Sequence, residues 1–429
     1  MTTMTAMDRY GPVAATVCGG FVAGYSIRES LGWDSFYIES SGDWYGAFVT
    51  AQWAGTLAVM SAVIVLAVVH SRRSPVAAAL AAALGAVIIA LPSVVPIASN
   101  QAVTTNAIGA GVLVGMCGHI AAGRRGPSAA LAVGLVGSML FYAAISGLRG
   151  PREGRWMATL GPQYVESTVP LLLLLPIAAL VVIVASRAPV VRFEAADAVI
   201  VVVLAFVYLL VYAYLGNTTS SVRMWLFAVV IAVALTYGGA LNLDGRDGRY
   251  LMAGLAIAAS GVNSLGWSDA SWWVLLIAAS LFVAAVLVGL RRELSTPALV
   301  MLAAVTATGL IPAGNSTVNV LGAVAYCTVY PIALGLAVGS MQPSRTVAST
   351  ITPLIPFALT LFWISAPVPP REFGWTDGLP DDYVQPIVWL YSPLPVGVVT
   401  AVIVVVACHF AIRSGTPEHH DRVSDSSGP

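Results

Sequence analysis

The chain holds 429 residues, 58% hydrophobic and 9% charged, with a formal net charge of zero. A soluble domain carries about a quarter charged residues, so this composition excludes a water-soluble globule and places the chain in a bilayer. All twenty basic residues are arginine, which excludes a GxxxxGK[ST] phosphate loop and Schiff-base chemistry, since both need lysine.

Apolar stretches of roughly 17 to 25 residues recur along the chain, each long enough to cross about 30 Å of hydrocarbon as a helix. They lack the alternation of a barrel strand, so the predicted fold is an all-α polytopic membrane protein. In chain order the spans are 11–27, 46–70, 75–97, 105–122, 127–147, 168–187, 196–215, 223–242, 250–265, 272–290, 297–313, 319–341, 347–366 and 386–412. That makes about fourteen transmembrane helices. The first apolar run is a span rather than a cleaved signal. Residues 415–429 form a polar tail, expected to be disordered.

Arginine placement sets the orientation, because cytoplasmic loops retain basic residues. With the N-terminus inside, fourteen of the twenty arginines fall on the cytoplasmic side, among them Arg9, Arg72, Arg73, Arg124, Arg125, Arg187, Arg246, Arg291, Arg345 and Arg413. Both termini are then cytoplasmic, and the expected location is the plasma or inner membrane. The bilayer is the partner that follows. With no basic tract, nucleic acid is not expected.

Two segments reveal an internal repeat. PREGRWMATLGPQYV (Pro151 to Val165) and PREFGWTDGLPDDYV (Pro370 to Val384) agree without a gap at Pro, Arg, Glu, Trp, Leu, Tyr and Val. Further landmarks fall in the same order. Leu31, Gly32 and Trp33 match Leu265, Gly266 and Trp267, and Arg72–Arg73 before Pro75 match Arg291–Arg292 before Pro297. Asn100, Asn106 and Gly109 match Asn315, Asn319 and Gly322. Spans 1 to 6 therefore correspond to spans 9 to 14, a 6+2+6 arrangement with a first repeat at 1–190, two inserted helices at 191–248 and a second repeat at 249–414. An even number of spans per unit makes the copies parallel, related by an axis along the membrane normal. The inserted pair is expected on a lipid-facing flank.

Candidate functional residues follow from the repeat. Arg152, Glu153, Trp156, Tyr164 and their mates Arg371, Glu372, Trp375, Tyr383 suit either interfacial anchoring or an outer gate over a central vestibule. Asn100, Asn106, Asn315 and Asn319, at the outer turns between spans, are read as helix caps or, if those turns dip inward, as pathway amides. Arg28, Glu29, Asp34, Glu39 and Asp43 cluster in the first outer loop. Cys18, Cys117, Cys327 and Cys408 stand singly in apolar runs as small core residues. The five histidines form no ligand set, and no metal or cofactor is expected.

Three family resemblances bear on function. A six-span unit with an outer excursion between its fifth and sixth spans and an arginine-bearing loop after its second resembles the membrane half of type-two ABC export permeases, here fused as two halves. That resemblance implies a permease exporting a small or lipid-like molecule, with a separate ATPase subunit contacting Arg72, Arg73, Arg291, Arg292 and Glu293. The stretch DGRDGR, Asp244 to Arg249, and the 6+2+6 count resemble fourteen-span major-facilitator carriers instead. The acidic first outer loop is similar to that of GT-C polyprenyl-phosphate sugar transferases, in which Asp43 or Asp34 would serve as catalytic base or metal partner. The permease is the leading expectation, with no catalytic residue in this chain.

Overall fold

The computed structural model describes residues 6–32, 53–95, 99–148, 169–189, 193–216, 222–243, 245–263, 265–266, 272–311, 324–362, 389–390 and 395–414. Fourteen helices lie within them. The first six are α1 (Ala6–Gly32), α2 (Ala54–Arg72), α3 (Pro75–Val94), α4 (Ser99–Ala121), α5 (Arg125–Leu148) and α6 (Leu171–Ala185). Two more, α7 (Ala195–Gly216) and α8 (Val222–Asn242), precede the last six. Those are α9 (Gly245–Ser260), α10 (Trp272–Arg291), α11 (Ser295–Leu310), α12 (Ala325–Ser340), α13 (Thr346–Phe362) and α14 (Pro395–Ser414). The chain is an all-α polytopic membrane protein. Seven of these helices meet both the length and the hydropathy of a full span. A two-residue antiparallel pairing of Leu265–Gly266 with Trp389–Leu390 is the one sheet element among the described residues.

The apolar surface faces lipid. Leu172, Leu173 and Leu175 on α6, Val76, Leu80, Leu84 and Val87 on α3, and Trp272, Leu276 and Leu287 on α10 are all exposed. So wide an apolar surface is not tolerated in water. By contrast α4 is buried on nearly every side, wrapped by α1, α2 and α3.

Within each six-helix set the same neighbours meet. In the first, α1 packs on α5 and α6, α2 on α4, and α3 on α4 and α6; in the second, α9 packs on α13 and α14, α10 on α12, and α11 on α12 and α14. Small residues allow the closest of these contacts, since helices in lipid associate through van der Waals packing of close backbones. A side chain at Gly111 on α4 would collide with the Ala58 carbonyl of α2, and one at Gly335 on α12 with the Phe282 carbonyl of α10.

Between the sets the contacts are crossed. Helix α5 lies against α10 and α12, while α13 lies against α2 and α4. Helices α7 and α8 are not simply peripheral. One face of α7, with Val199, Val203, Phe206 and Leu210, is exposed, but α7 also packs on α2 and α13, and α8 packs on α9.

Helix α13 is broken, and its breaks hold the inserted pair. Pro353 and Pro356 remove two backbone donors, and turns of 3-10 geometry interrupt the helix at Thr352–Leu354 and Thr360–Phe362. A broken helix is tolerated in a bilayer where neighbours satisfy the backbone groups that its breaks release. Here the Tyr212 hydroxyl of α7 donates to the Ala358 carbonyl at 2.5 Å, and the Trp225 indole N–H of α8 donates to the Leu361 carbonyl at 2.9 Å.

Three expectations change. Helix α1 runs to Gly32, so Arg28 is helical rather than in a loop; its guanidinium lies over the Tyr142 ring of α5, 5.2 Å from the centroid. Helix α4 begins at Ser99, which places Asn106 two turns inside it, 2% exposed, where it cannot cap. Helix α9 begins at Gly245, inside the stretch assigned to the inserted pair.

Candidate functional site

The turn between α12 and α13 reads Gln342-Pro343-Ser344-Arg345. Arg345 is extended (φ −105°, ψ 154°) and provides no side-chain cap, so the first N–H groups of α13 need outside acceptors. Asp247, from the first turn of α9, accepts from the residues that lead into the helix. Its Oδ1 accepts from Ser344 N at 2.7 Å and Arg345 N at 3.3 Å, and its Oδ2 accepts from the Ser344 hydroxyl at 2.9 Å. Glu194, just before α7, accepts from Val347 N at 3.4 Å. Burial pushes the Glu194 carboxyl above its usual range, against the lowering effect of the Val347 N–H.

The Arg345 side chain completes the cluster. Its Nη1 donates to both oxygens of Asp197, on the first turn of α7, at 2.8 and 3.0 Å. Its Nε lies 3.9 Å from Asp247 Oδ2, a charge contact beyond hydrogen-bond reach. The Asp197 side chain is 3% exposed and that of Asp247 fully buried. Three helix N-termini, each carrying partial positive charge, thus converge on three carboxylates and one guanidinium. This cluster ties the inserted pair to α9 and α13. Asp197 lies at the start of the predicted span 196–215 and Asp247 within DGRDGR, but no spacing in the sequence joins either to Arg345.

Beside the cluster a cavity of about 570 Å3 opens at the same end of the bundle. Arg124, Arg125 and Ser128 line it from the α4–α5 turn of the first set; Arg246, Arg249, Arg291, Arg292 and Arg345 line it from the second set. Glu293 is the one carboxylate in the wall among the described residues. Arg249 donates to Glu293 Oε1 at 3.3 Å, with the Glu293 side chain 71% exposed. Pairs this exposed contribute roughly 0–1 kcal/mol. Changing Glu293 to Gln is therefore expected to leave the melting midpoint of the detergent-solubilised protein almost unchanged; a large drop would show that the pair holds the turn.

The positions expected from sequence divide sharply. Arg291, Arg292 and Glu293 line the cavity, whereas Arg72 and Arg73 are exposed and are not in its wall. Asn106 is buried in α4, and Asn100 lies in its first turn. The repeated outer segments (Arg152, Glu153, Trp156, Tyr164, Arg371, Glu372, Trp375, Tyr383), Asn315, Asn319, Asp34 and Asp43 lie outside the described residues. No group of three or more metal-ligating side chains occurs among the described residues.

The chain matches no protein-family model and no curated protein. Among solved structures it is similar to the human organic anion transporter MFSD10 (TETRAN), at 14% sequence identity and a TM-score of 0.47, over 95% of this chain and 100% of that one. The expectation of a fused ABC exporter permease is corrected by the connections at the basic end of the bundle. Only Arg73 and Ser74 separate α2 from α3, and three residues, 292–294, separate α10 from α11. Turns this tight leave no projecting element for an ATPase to grip, so Arg72, Arg73, Arg291, Arg292 and Glu293 lose the coupling role assigned to them.

Proposed function

We propose that the chain is a membrane transporter of major-facilitator type, a carrier in which two copies of a six-helix bundle rock against each other about a central pathway. The crossed packing carries this reading: α5 meets α10 and α12, and α13 meets α2 and α4, so each bundle offers the other the same helices. Two bundles that touch through a few helices on each side form a seam that rigid-body motion can open at one end and close at the other. The basic end is the cytoplasmic one in this reading, since arginine-rich ends are retained inside. The membrane is then the plasma or inner membrane, with both termini in the cytoplasm. The Asp197–Arg345–Asp247 cluster holds α7, α9 and α13 as one body during the motion.

Cross-linking tests this without knowledge of the cargo. A Cβ on Gly118 of α4 would lie 2.8 Å from the Thr350 Cβ of α13, across the seam near the basic end. A disulfide spans about 3.5–4.5 Å between Cβ atoms, so a Gly118→Cys/Thr350→Cys pair closes with a small separation of the helices. In a background lacking the four native cysteines, a third cysteine at Asn106 reports access to the pathway. With the pair reduced, an impermeant maleimide is expected to label Asn106→Cys from either side of the membrane. Oxidation should abolish labelling from the basic side alone. Labelling from neither side, or labelling indifferent to oxidation, would sink the carrier reading.

A further inference from the structure

The arginine-lined cavity sits on the seam, and its charge is unbalanced among the described residues. Arg124 and Arg125 come from the first bundle, Arg291 and Arg292 from the second, and none of these four makes an ion pair among the described residues. Like charges brought together from two bodies repel, and lipid-end retention of arginine requires only that they lie on that side, not that they face one space. Ser128 supplies an independent observation. It lines the cavity, is 6% exposed, and its hydroxyl has no hydrogen-bond partner among the described residues. A buried hydroxyl without a partner costs about 1–3 kcal/mol, and a ligand oxygen in the cavity removes that cost. At about 570 Å3 the space lies in the range of small-molecule sites, roughly 300–1,000 Å3.

We infer that this cavity binds a phosphate-bearing anion, which bridges Arg124 of one bundle to Arg292 of the other, accepts the Ser128 hydroxyl, and holds the basic end of the seam closed. Guanidinium groups match phosphate oxygens in charge and in bidentate geometry. The phosphate belongs either to a soluble polyphosphate or to a lipid headgroup reaching the membrane face. Binding itself does not depend on the carrier reading; only the consequence for rocking does.

The test uses the full chain in neutral detergent, titrated with sodium tripolyphosphate at constant ionic strength set by sodium chloride, with calorimetric affinity and melting midpoint as readouts. Saturable binding with a raised midpoint is expected. Arg124→Gln and Arg292→Gln should each weaken binding by about tenfold, the loss of one charge-assisted contact, and Glu293→Gln should tighten it. Arg72→Gln, outside the cavity, should leave affinity unchanged. Both arginines are exposed, so their ligand-free midpoints should match the parent and separate a binding defect from a folding one. Repeating the titration in nanodiscs distinguishes the sources. If phosphatidic acid competes with tripolyphosphate where phosphatidylcholine does not, the phosphate is a headgroup's; if the two discs give one affinity, it is soluble. Absence of saturable binding in detergent and in discs, or equal loss in Arg72→Gln and Arg292→Gln, overturns the inference. A normal seam cross-link with no anion binding would fault this site and spare the carrier reading.

Discussion

Replacing Arg345 with Leu is expected to lower the unfolding free energy of the detergent-solubilised protein by about 3 kcal/mol, the lower end of the 3–5 kcal/mol typical when one partner of a buried pair is removed. The cost comes from what is left behind. Asp197 and Asp247, with side chains 3% and 0% exposed, would face each other without their common cation. The lower end applies because the Arg345 side chain is itself 34% exposed and partly screened. Asp247 also keeps its bonds from Ser344 and from the Arg345 N–H, whereas Asp197 has no other hydrogen-bond donor among the described residues. An Asp197→Asn/Arg345→Leu double variant should therefore recover part of the loss, and the coupling between the two changes should exceed about 0.5 kcal/mol. Arg345→Lys should fall between, since an ammonium keeps the charge but not the fork that engages both Asp197 oxygens. Unfolding curves of Arg345→Leu that overlay those of the parent would remove the cluster from any structural role.

Gly55→Leu is expected to disrupt the seam itself. A side chain at this α2 position would run into the Phe357 carbonyl and the Ala358 nitrogen of α13, and backbone cannot rotate aside as a side chain can. Nor can α13 retreat freely, because Tyr212 and Trp225 hold its Ala358 and Leu361 carbonyls from α7 and α8. Overpacking of this kind costs about 1–3 kcal/mol, and more where the neighbour is fixed; the upper part of that range is expected here. Gly238→Ala on α8 is the matched control, because nothing lies within 4 Å of an added Cβ there. It should be neutral or mildly stabilising, as alanine is the better helix former. Equal melting midpoints for the two variants would mean that α2 and α13 do not meet at this seam.

The apolar spans were legible because hydrophobic length is a local property: a stretch that must satisfy its own backbone in lipid reads as a helix wherever it lies. Their ends were less legible where polar residues enter a helix. Asn, Gln and Thr in residues 99–106 interrupt the apolar run and read as a turn, yet α4 continues through them, with Ala102, Val103 and Asn106 buried in protein. The predicted span 250–265 starts later than α9 for the same reason, since DGRDGR is charged. The structure neutralises Asp247 with the Arg345 side chain and the N–H groups of Ser344 and Arg345 that lead into α13, so the charge can sit inside a helix.

What the sequence by itself determined was membrane class, fourteen spans, the basic end and the exclusion of lysine chemistry, all of which follow from composition and local hydropathy. The tertiary structure decided which charges meet. Arg345 and Asp197 stand 148 residues apart, and Arg124 and Arg292 belong to different bundles; charge attraction and repulsion depend on distance in space, which no interval along the chain encodes.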